Sequence, residues 1–272
     1  MFRKAIIVVV VSLVVMLIAT VGCGREAAIV TRHHGMDLIP GDAPGGMYYD
    51  YKSLREDKDL SAWYDSMAAG QSGPMEAIGV SLSQIDFMAA VEGGVLGGRF
   101  DYDNVRKTLR GLDFEEGTYE GVELWTGYHS EFGDSAIAIL EGGLIYGEPD
   151  AVKAHVRVIN GTEVSLYQTE DIKQLMNRLP GWSPILLWLQ CDPSREMPFS
   201  DALAIVIAFG KADKDNLKLA VVVRFESESA AIEGLGGVDT LIEPMGAMEV
   251  EASRSGTFVN IEAKVPIQFF SQ

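Results

Sequence analysis

Two stretches near the end of the chain alternate apolar and polar residues with the period of a half-buried strand. Apolar side chains occupy every second position in residues 217–225 and again in residues 259–265. Successive side chains of a strand point to opposite faces, so this period predicts strands with one face against a core. A nearly continuous apolar run at residues 203–209 precedes the first stretch, and the two together predict an antiparallel hairpin. Ser227 then predicts the N-cap of a short helix after this hairpin.

A short pattern in the first half of the chain occurs twice. Val91-Glu92-Gly93-Gly94 and Leu140-Glu141-Gly142-Gly143 each follow an apolar run and precede another. Consecutive glycines supply the positive φ values that a tight hairpin needs, so each copy predicts a hairpin turn.

Each predicted hairpin is followed by the signals of an amphipathic helix. Asp101 is a good N-cap residue, and Pro149 suits the first position of a helix. Apolar residues recur at helical spacing after both, at positions 105, 109 and 112 and at positions 152, 156 and 159. The fold predicted from these signals is α+β, a mostly antiparallel sheet of repeated hairpin-helix (ββα) units with the helices packed on one face. The competing hypothesis is that Glu-Gly-Gly is a convenient turn used twice by chance.

The spacing of Gly and Pro residues suggests how the chain is divided. Residues 23–46 are rich in both and have little periodicity, which predicts a tether. A first α+β half should cover residues 47–180 and a second half residues 181–272, with one continuous domain as the alternative. Tyr48, Tyr49 and Tyr51 suggest a strand near the start of the first half, packed through its aromatic rings or offering them to a ligand.

Composition narrows the partners. The chain carries a formal net charge of −17, with acidic residues spread along it rather than gathered in a tail. Such a surface repels nucleic acid and anionic lipid, so neither is expected to bind it. There are two cysteines, and Cys191 has no partner if Cys23 is modified, so we expect a buried, unreactive thiol at Cys191.

The first 22 residues have the three parts of an export signal. Arg3 and Lys4 precede an apolar run that reaches Gly22, and small residues stand before Cys23. Positive charge stays on the cytoplasmic side and orients the apolar segment in the membrane. The run is slightly long for a cleaved signal and barely long enough to span a bilayer, so an uncleaved single-span anchor is the alternative.

The end of this segment, Thr20-Val21-Gly22-Cys23, resembles the lipobox of bacterial lipoproteins. The resemblance implies that residues 1–22 are a signal peptide and that Cys23 is the site of lipid attachment. It also implies that Cys23 becomes the first residue after cleavage. Two or more acyl chains hold a protein stably at a membrane. Because the signal directs export, the resemblance implies that the remaining chain lies on the extracytoplasmic side.

Several chemical motifs are present only in part. Gly133-Asp134-Ser135 resembles the nucleophile block of Gly-Asp-Ser hydrolases, but the Asp-x-x-His that supplies their base is absent and His155 stands inside a predicted helix. His33 and His34 with Asp37 suggest a metal, but neighbouring side chains of an extended chain point apart.

Other partial motifs have simpler explanations. Asp101-Tyr102-Asp103 and Asp213-Lys214-Asp215 begin like calcium loops but lack the later ligands, so a helix cap and a turn explain them. The glycines at 93–98 match neither a P-loop nor a dinucleotide fingerprint, which leaves turns as their explanation.

The sequence therefore predicts no catalytic, cofactor-binding or metal-binding residues and favours a binding or structural role. The expected protein is a membrane-anchored extracytoplasmic lipoprotein whose partner is another protein or a small apolar ligand. The alternative is an extracytoplasmic, hydrolase-like enzyme whose site is assembled from scattered residues.

Overall fold

The computed structural model of the chain describes residues 35–61, 64–65, 73, 75–91, 93–129, 133–181, 183–191 and 201–268. The predicted signal peptide at residues 1–22, Cys23 and the His33-His34 pair all lie outside these described residues.

One sheet of twelve strands organises the described chain, and neighbouring strands in it run antiparallel. Its spatial order is β11-β12-β10-β9-β8-β1-β2-β3-β7-β6-β5-β4. The strands are β1 Gly45–Tyr49, β2 Ile85–Ala90, β3 Gly93–Gly98, β4 Glu115–Tyr119, β5 Val122–His129, β6 Gly133–Leu140, β7 Gly143–Gly147, β8 Ile185–Gln190, β9 Ala202–Lys211, β10 Asn216–Phe225, β11 Met248–Ser255 and β12 Phe258–Pro266.

The α-helices of the described residues are short, and several begin where the sequence predicts. Asp101 accepts a hydrogen bond from the Asn104 backbone as an N-cap, Pro149 opens its helix, and Ser227 accepts from the Ala230 backbone. The helices are α1 Tyr51–Glu56, α2 Tyr102–Gly111, α3 Pro149–Ile159, α4 Glu170–Met176, α5 Glu228–Gly236 and α6 Val238–Ile242. None of the helices in the described part of the chain has the length and apolar character that crossing a membrane requires.

The predicted fold class is wrong. The helices do not share one face: α1, α2, α5 and α6 pack in the core on one side of the sheet, and α3 and α4 pack in the core on the other. The two hairpins that contain the Glu-Gly-Gly copies lie side by side through the β3–β7 pair. Two neighbouring antiparallel hairpins related by a two-fold axis normal to the sheet would place their helices on the same face. Because α2 and α3 lie on opposite faces, the hairpin-helix units are not structural repeats.

The two Glu-Gly-Gly copies also differ in where their glycines lie. Both hairpins form, but Gly93 and Gly94 belong to strand β3 and neither has a positive φ. Only Gly142, at φ 73°, forms a turn as predicted. The glycines at 93–98 are therefore strand residues rather than turns, and two of them leave room for rings. A side chain at Gly94 would overlap Tyr146, and one at Gly97 would overlap Phe87.

A different similarity relates the two parts of the sheet. Strands β1, β2 and β3 are spatial neighbours followed by α2, and β8, β9 and β10 are spatial neighbours followed by α5. In both parts a later strand returns beside the third one, as β7 beside β3 and β12 beside β10. The two parts meet where β1 pairs with β8, with Gly46 opposite Trp188. The predicted halves thus contribute to one continuous sheet.

The two edges of the sheet are built differently. Strand β4 pairs with β5 in an unbroken register from Glu115 to Tyr119. Strand β11 is exposed along its whole length, its register with β12 shifts between Met248 and Glu251, and Glu249 adopts a φ of 51°. This irregularity has the form of a β-bulge, which interrupts the row of hydrogen-bonding groups at that edge.

Candidate binding cleft at His155

A cleft of about 200 Å³ opens between helix α3, the turn that joins β2 to β3, and the loop of residues 40–44. This volume is below the roughly 300–1,000 Å³ of typical sites for drug-sized ligands, so it suits a smaller molecule. The residues that line it are Pro40, Asp42, Ala43, Pro44, Val91, Gly93, Ala151, Ala154 and His155.

The cleft exists because its walls are made of small residues. On α3, Ala151 and Ala154 carry only methyl groups toward it, and the first residue of β3 is Gly93. Residues at i and i+3 of a helix lie on the same face, so the two alanines leave a continuous gap along α3. A larger side chain at either position would fill the space.

The opposite wall is the loop of residues 40–44, which backbone hydrogen bonds hold in place. The Gly41 N–H donates to the Val164 carbonyl at 2.9 Å, and the Leu166 N–H donates to the Ile39 carbonyl at 2.8 Å. Within the loop, the Ala43 N–H donates to the Pro40 carbonyl at 3.1 Å. With prolines at both ends, the loop has few accessible conformations, and the cleft is preformed.

His155 is the buried polar residue of the cleft, with 2% of its surface exposed. Its Nδ1 lies 2.7 Å from the Leu38 carbonyl oxygen. A carbonyl oxygen only accepts, so Nδ1 must carry the proton, and Nε2 of the neutral ring carries a lone pair. Burial lowers the pKa of His155, although the bond to Leu38 opposes this shift.

The second nitrogen of His155 is available to a ligand. Within the described part of the chain, no residue forms a hydrogen bond with Nε2. The ring is therefore an acceptor that is held in one tautomer and one orientation by Leu38. Nε2 is not among the buried atoms without a partner in the described residues, so it reaches the solvent of the cleft, where a bound hydrogen-bond donor can replace water.

Asp42 is the other ionisable residue among those that line the cleft, and it is exposed. Its carboxylate therefore belongs to the solvent side of the cleft, whereas His155 is buried beneath. Nearby, the first turn of α3 contains Asp150, and Glu148 precedes it at the N-cap position. These acidic groups offset the partial positive charge at the amino end of the helix. Lys153 pairs with Asp150 at 3.3 Å, so Asp42 and Glu148 supply the unpaired negative charge near the cleft.

No family model, curated protein or solved structure matches this chain. The interpretation of the cleft accordingly depends on its own residues and geometry.

The structure accounts for several residues that the sequence singled out. Ser135 lies in β6, and its hydroxyl donates to the Gly133 carbonyl at 3.2 Å. Asp213 accepts hydrogen bonds from the Asp215 and Asn216 backbones, which confirms the predicted turn. Cys191 is buried, and burial raises the pKa of its thiol. In the described part of the chain, no three His, Cys, Asp or Glu residues are grouped so as to hold a metal ion.

The three tyrosines considered as a ligand surface are separated by the fold. Tyr48 is buried on one side of the sheet, 6.0 Å from the Phe87 ring between centroids. Tyr49 and Tyr51 stack at 5.7 Å on the other side, and Tyr51 belongs to α1 rather than to a strand. They do not form a common surface, and packing explains them.

Little in the sequence indicates the cleft. His155 appeared only as an unsuitable base for Ser135, and nothing in the pattern connects it to residues 38–44, more than a hundred positions away. The available signal was a histidine close to two alanines on a helix whose other face carries Val152 and Val156. That signal marks an unusual face of the helix but does not identify what packs opposite it.

Proposed function

We propose that this chain is a lipid-anchored extracytoplasmic binding protein whose ligand site is the cleft at His155. The observation that carries the binding role is the buried imidazole with its Nε2 lone pair facing a preformed cleft. The support for the anchor is the lipobox-like segment ending at Cys23. Most of the Gly and Pro residues of the predicted tether belong to residues 35–46, which are part of the folded structure.

The layout of the core favours this cleft over a cavity in the sheet as the ligand site. Both faces of the sheet are covered by helices and by large buried side chains, which include Trp125 and Trp188. The cleft lies at the surface, beside α3, where a ligand can enter without separating the packed layers. We therefore propose a small molecule, rather than another protein, as the partner.

The charge of the chain suits a position close to a membrane without adsorption to it. A net charge of −17 repels anionic lipid headgroups, so attachment in this proposal depends on the acyl chains at Cys23. Nucleic acid is repelled in the same way and is not a proposed partner.

The anchor is tested by labelling. Expressed in a bacterium with radioactive palmitate, the wild-type protein should become labelled and separate with the membranes, while Cys23→Ser should be unlabelled. A wild-type protein that stays in the membrane fraction without label would contradict lipidation and would support a single-span anchor instead.

The binding role is tested by native mass spectrometry of the protein purified without denaturation. The wild-type protein should retain a small adduct, and His155→Asn should lose it. Asn keeps an N–H donor near the position of Nδ1, and therefore the bond to Leu38, but has no group at the position of Nε2. An adduct that both proteins retain would place the ligand elsewhere.

A further inference from the structure

The chemistry of the cleft specifies which kind of molecule it accepts. We infer that it binds a small organic cation, a primary ammonium group on a short alkyl chain, with the ammonium N–H donating to Nε2 of His155. This inference rests on the proposed binding function and adds the class of the ligand.

The first step concerns the sign of the ligand. Nδ1 uses its proton on Leu38, so Nε2 presents only a lone pair to the cleft. A carboxylate would bring only lone pairs against it, and the interaction would be repulsive. A ligand must instead offer an N–H or O–H group at this position.

The second step separates a cation from a neutral donor. The exposed carboxylate of Asp42 lines the same cleft, and Glu148 lies at the adjacent end of α3, where Lys153 neutralises Asp150 at 3.3 Å. An ammonium group gains from this field, whereas an alcohol does not. Hydrogen bonds that involve a charged partner are roughly twice as strong as neutral ones.

The third step concerns size and shape. A cleft of about 200 Å³ has the volume of about seven water molecules, since each occupies about 30 Å³ in the liquid. Apolar groups of Pro40, Pro44, Val91 and the two alanines form most of its walls and suit a short alkyl chain. The part of the ligand that enters the cleft is therefore short, and any remainder lies outside the mouth.

A metal ion fits the cleft less well than an organic cation. Its lining offers one imidazole nitrogen and one carboxylate, whereas structural and catalytic zinc sites use three or four protein ligands. Calcium prefers six or more oxygen ligands. An ammonium group needs fewer fixed partners because water can satisfy its remaining N–H donors at the mouth.

Binding is measured with three probes of similar size at neutral pH: ethanolamine, ethylene glycol and glycolate. Calorimetry should show ethanolamine binding about tenfold or more tightly than ethylene glycol, which corresponds to about 1.4 kcal/mol, and no binding of glycolate. In ¹⁵N-labelled protein, ethanolamine should also shift the Nε2 resonance of His155.

Three variants locate the site. His155→Asn should abolish ethanolamine binding while keeping the wild-type melting temperature within a few degrees. Asp42→Asn should weaken it by about tenfold, whereas Asp239→Asn, an exposed residue of α6, makes the same change in net charge and should leave it intact. Ala154→Leu should abolish binding because the larger side chain fills the cleft. This variant tests the site without altering His155.

The outcomes separate the two proposals. Equal binding of ethanolamine and ethylene glycol, or tighter binding of glycolate, would overturn the cation while leaving a ligand site at His155. Ethanolamine binding that survives both His155→Asn and Ala154→Leu would overturn the location. No binding of any probe would also reject the cation, and the adduct in native mass spectrometry would still decide the binding function independently.

Discussion

The protonation state of His155 links the cleft to the stability of the protein. Burial lowers the pKa of the folded state below that of an exposed histidine, which is about 6.5. The unfolded chain therefore binds a proton more readily than the folded one at mildly acidic pH. The stability that depends on the neutral ring is complete above about pH 6.5 and is lost as the pH falls toward the folded-state pKa.

This effect predicts a difference between wild type and His155→Asn. The urea midpoint of the wild type should fall between about pH 7 and pH 5, because protonation of His155 favours the unfolded chain. The Asn variant lacks this titration, so its midpoint should fall less over the same interval. Parallel curves for the two proteins would contradict the buried neutral state of the ring.

A second prediction concerns Gly97 in strand β3. A methyl group at this position would overlap the Phe87 ring, so Gly97→Ala should lower the free energy of unfolding by about 1–3 kcal/mol. Gly117→Ala in the exposed strand β4 is the matched control, because a Cβ there has only ordinary contacts, and it should be close to neutral. Urea unfolding measures both.

A smaller residue at position 87 should relieve part of the overlap that Gly97→Ala creates. Phe87→Leu by itself opens a gap, but combined with Gly97→Ala it should cost less than the sum of the two single changes, because the new methyl group occupies part of the space. Strict additivity in this double-mutant cycle would show that the two residues do not compete for space.

At the residue scale, local chemistry was predictable and long-range contacts were not. A helix start depends on contacts within a few positions of the chain, so the sequence identifies the starts at Asp101, Pro149 and Ser227. Gly97 was misinterpreted as a turn residue because the reason for its small size, Phe87, lies on the neighbouring strand. His155 was passed over for the same reason, since Leu38 and Asp42 are distant in the sequence.

Among the elements, helix α2 is fixed to strand β5 by a paired carboxylate. The Arg106 guanidinium donates to Glu123 through Nε at 2.8 Å and through Nη2 at 2.8 Å. Trp125 Nε1 donates to the same carboxylate at 2.7 Å. The bonds from Arg106 hold the pKa of Glu123 below its usual value, against the opposing effect of burial.

This arrangement predicts the behaviour of Glu123→Gln. The lowered folded-state pKa means that the pair contributes fully above the unfolded value of about 4.3, and the contribution is lost as the pH falls through the folded-state pKa. At pH 7 the variant should be about 1 kcal/mol less stable, and the difference should shrink at acidic pH. A constant difference down to pH 2, measured by urea unfolding, would contradict the role of this carboxylate.

The fluorescence of Trp125 should respond to the same pair. Trp125 is buried and bonded to Glu123, so acid titration of the folded wild type should alter its emission, and Glu123→Gln should remove that step. The exposed pair of Arg110 and Glu116 is the comparison, and Glu116→Gln should leave the step in place.

At the scale of elements, strands were easier to predict than the positions of helices. Alternation identified β10 and β12, and the apolar run identified β9. Helical spacing identified α2 and α3, but an amphipathic pattern states only that one side of a helix is buried. It does not state which face of the sheet covers that side, and this gap produced the incorrect prediction that all helices share one face.

In the whole molecule, the β1–β8 pair is the seam between two similarly connected parts of the sheet. Gly46 lies opposite Trp188, and any side chain at Gly46 would overlap the indole ring. The cores on both faces continue across this seam, with residues of both parts in each. The described sheet is therefore expected to unfold cooperatively.

Hydrogen exchange tests this continuity. In the wild type, amides of β3 and of β10 should have similar high protection, because exposing either requires opening of the shared sheet. Gly46→Val should lower protection in both parts. A loss confined to β3, with β10 unchanged, would show that the two parts unfold independently.

The extent of this sheet could not be predicted from the sequence, because pairing of β1 with β8 joins residues about 140 positions apart. A boundary was expected at Pro180 and Gly181, where turn residues do occur. A turn in the chain, however, does not require a break in the hydrogen-bonded sheet, and β8 begins at Ile185, four positions after Gly181.

The unequal edges of the sheet set a limit on how copies of the protein associate. A filament grows when one edge of each copy joins the opposite edge of the next, and the shift between Met248 and Glu251 prevents β11 from being matched along its full length. Growth through β11 is therefore disfavoured, whereas β4 joined to β4 about a two-fold axis would form a closed pair that stops there.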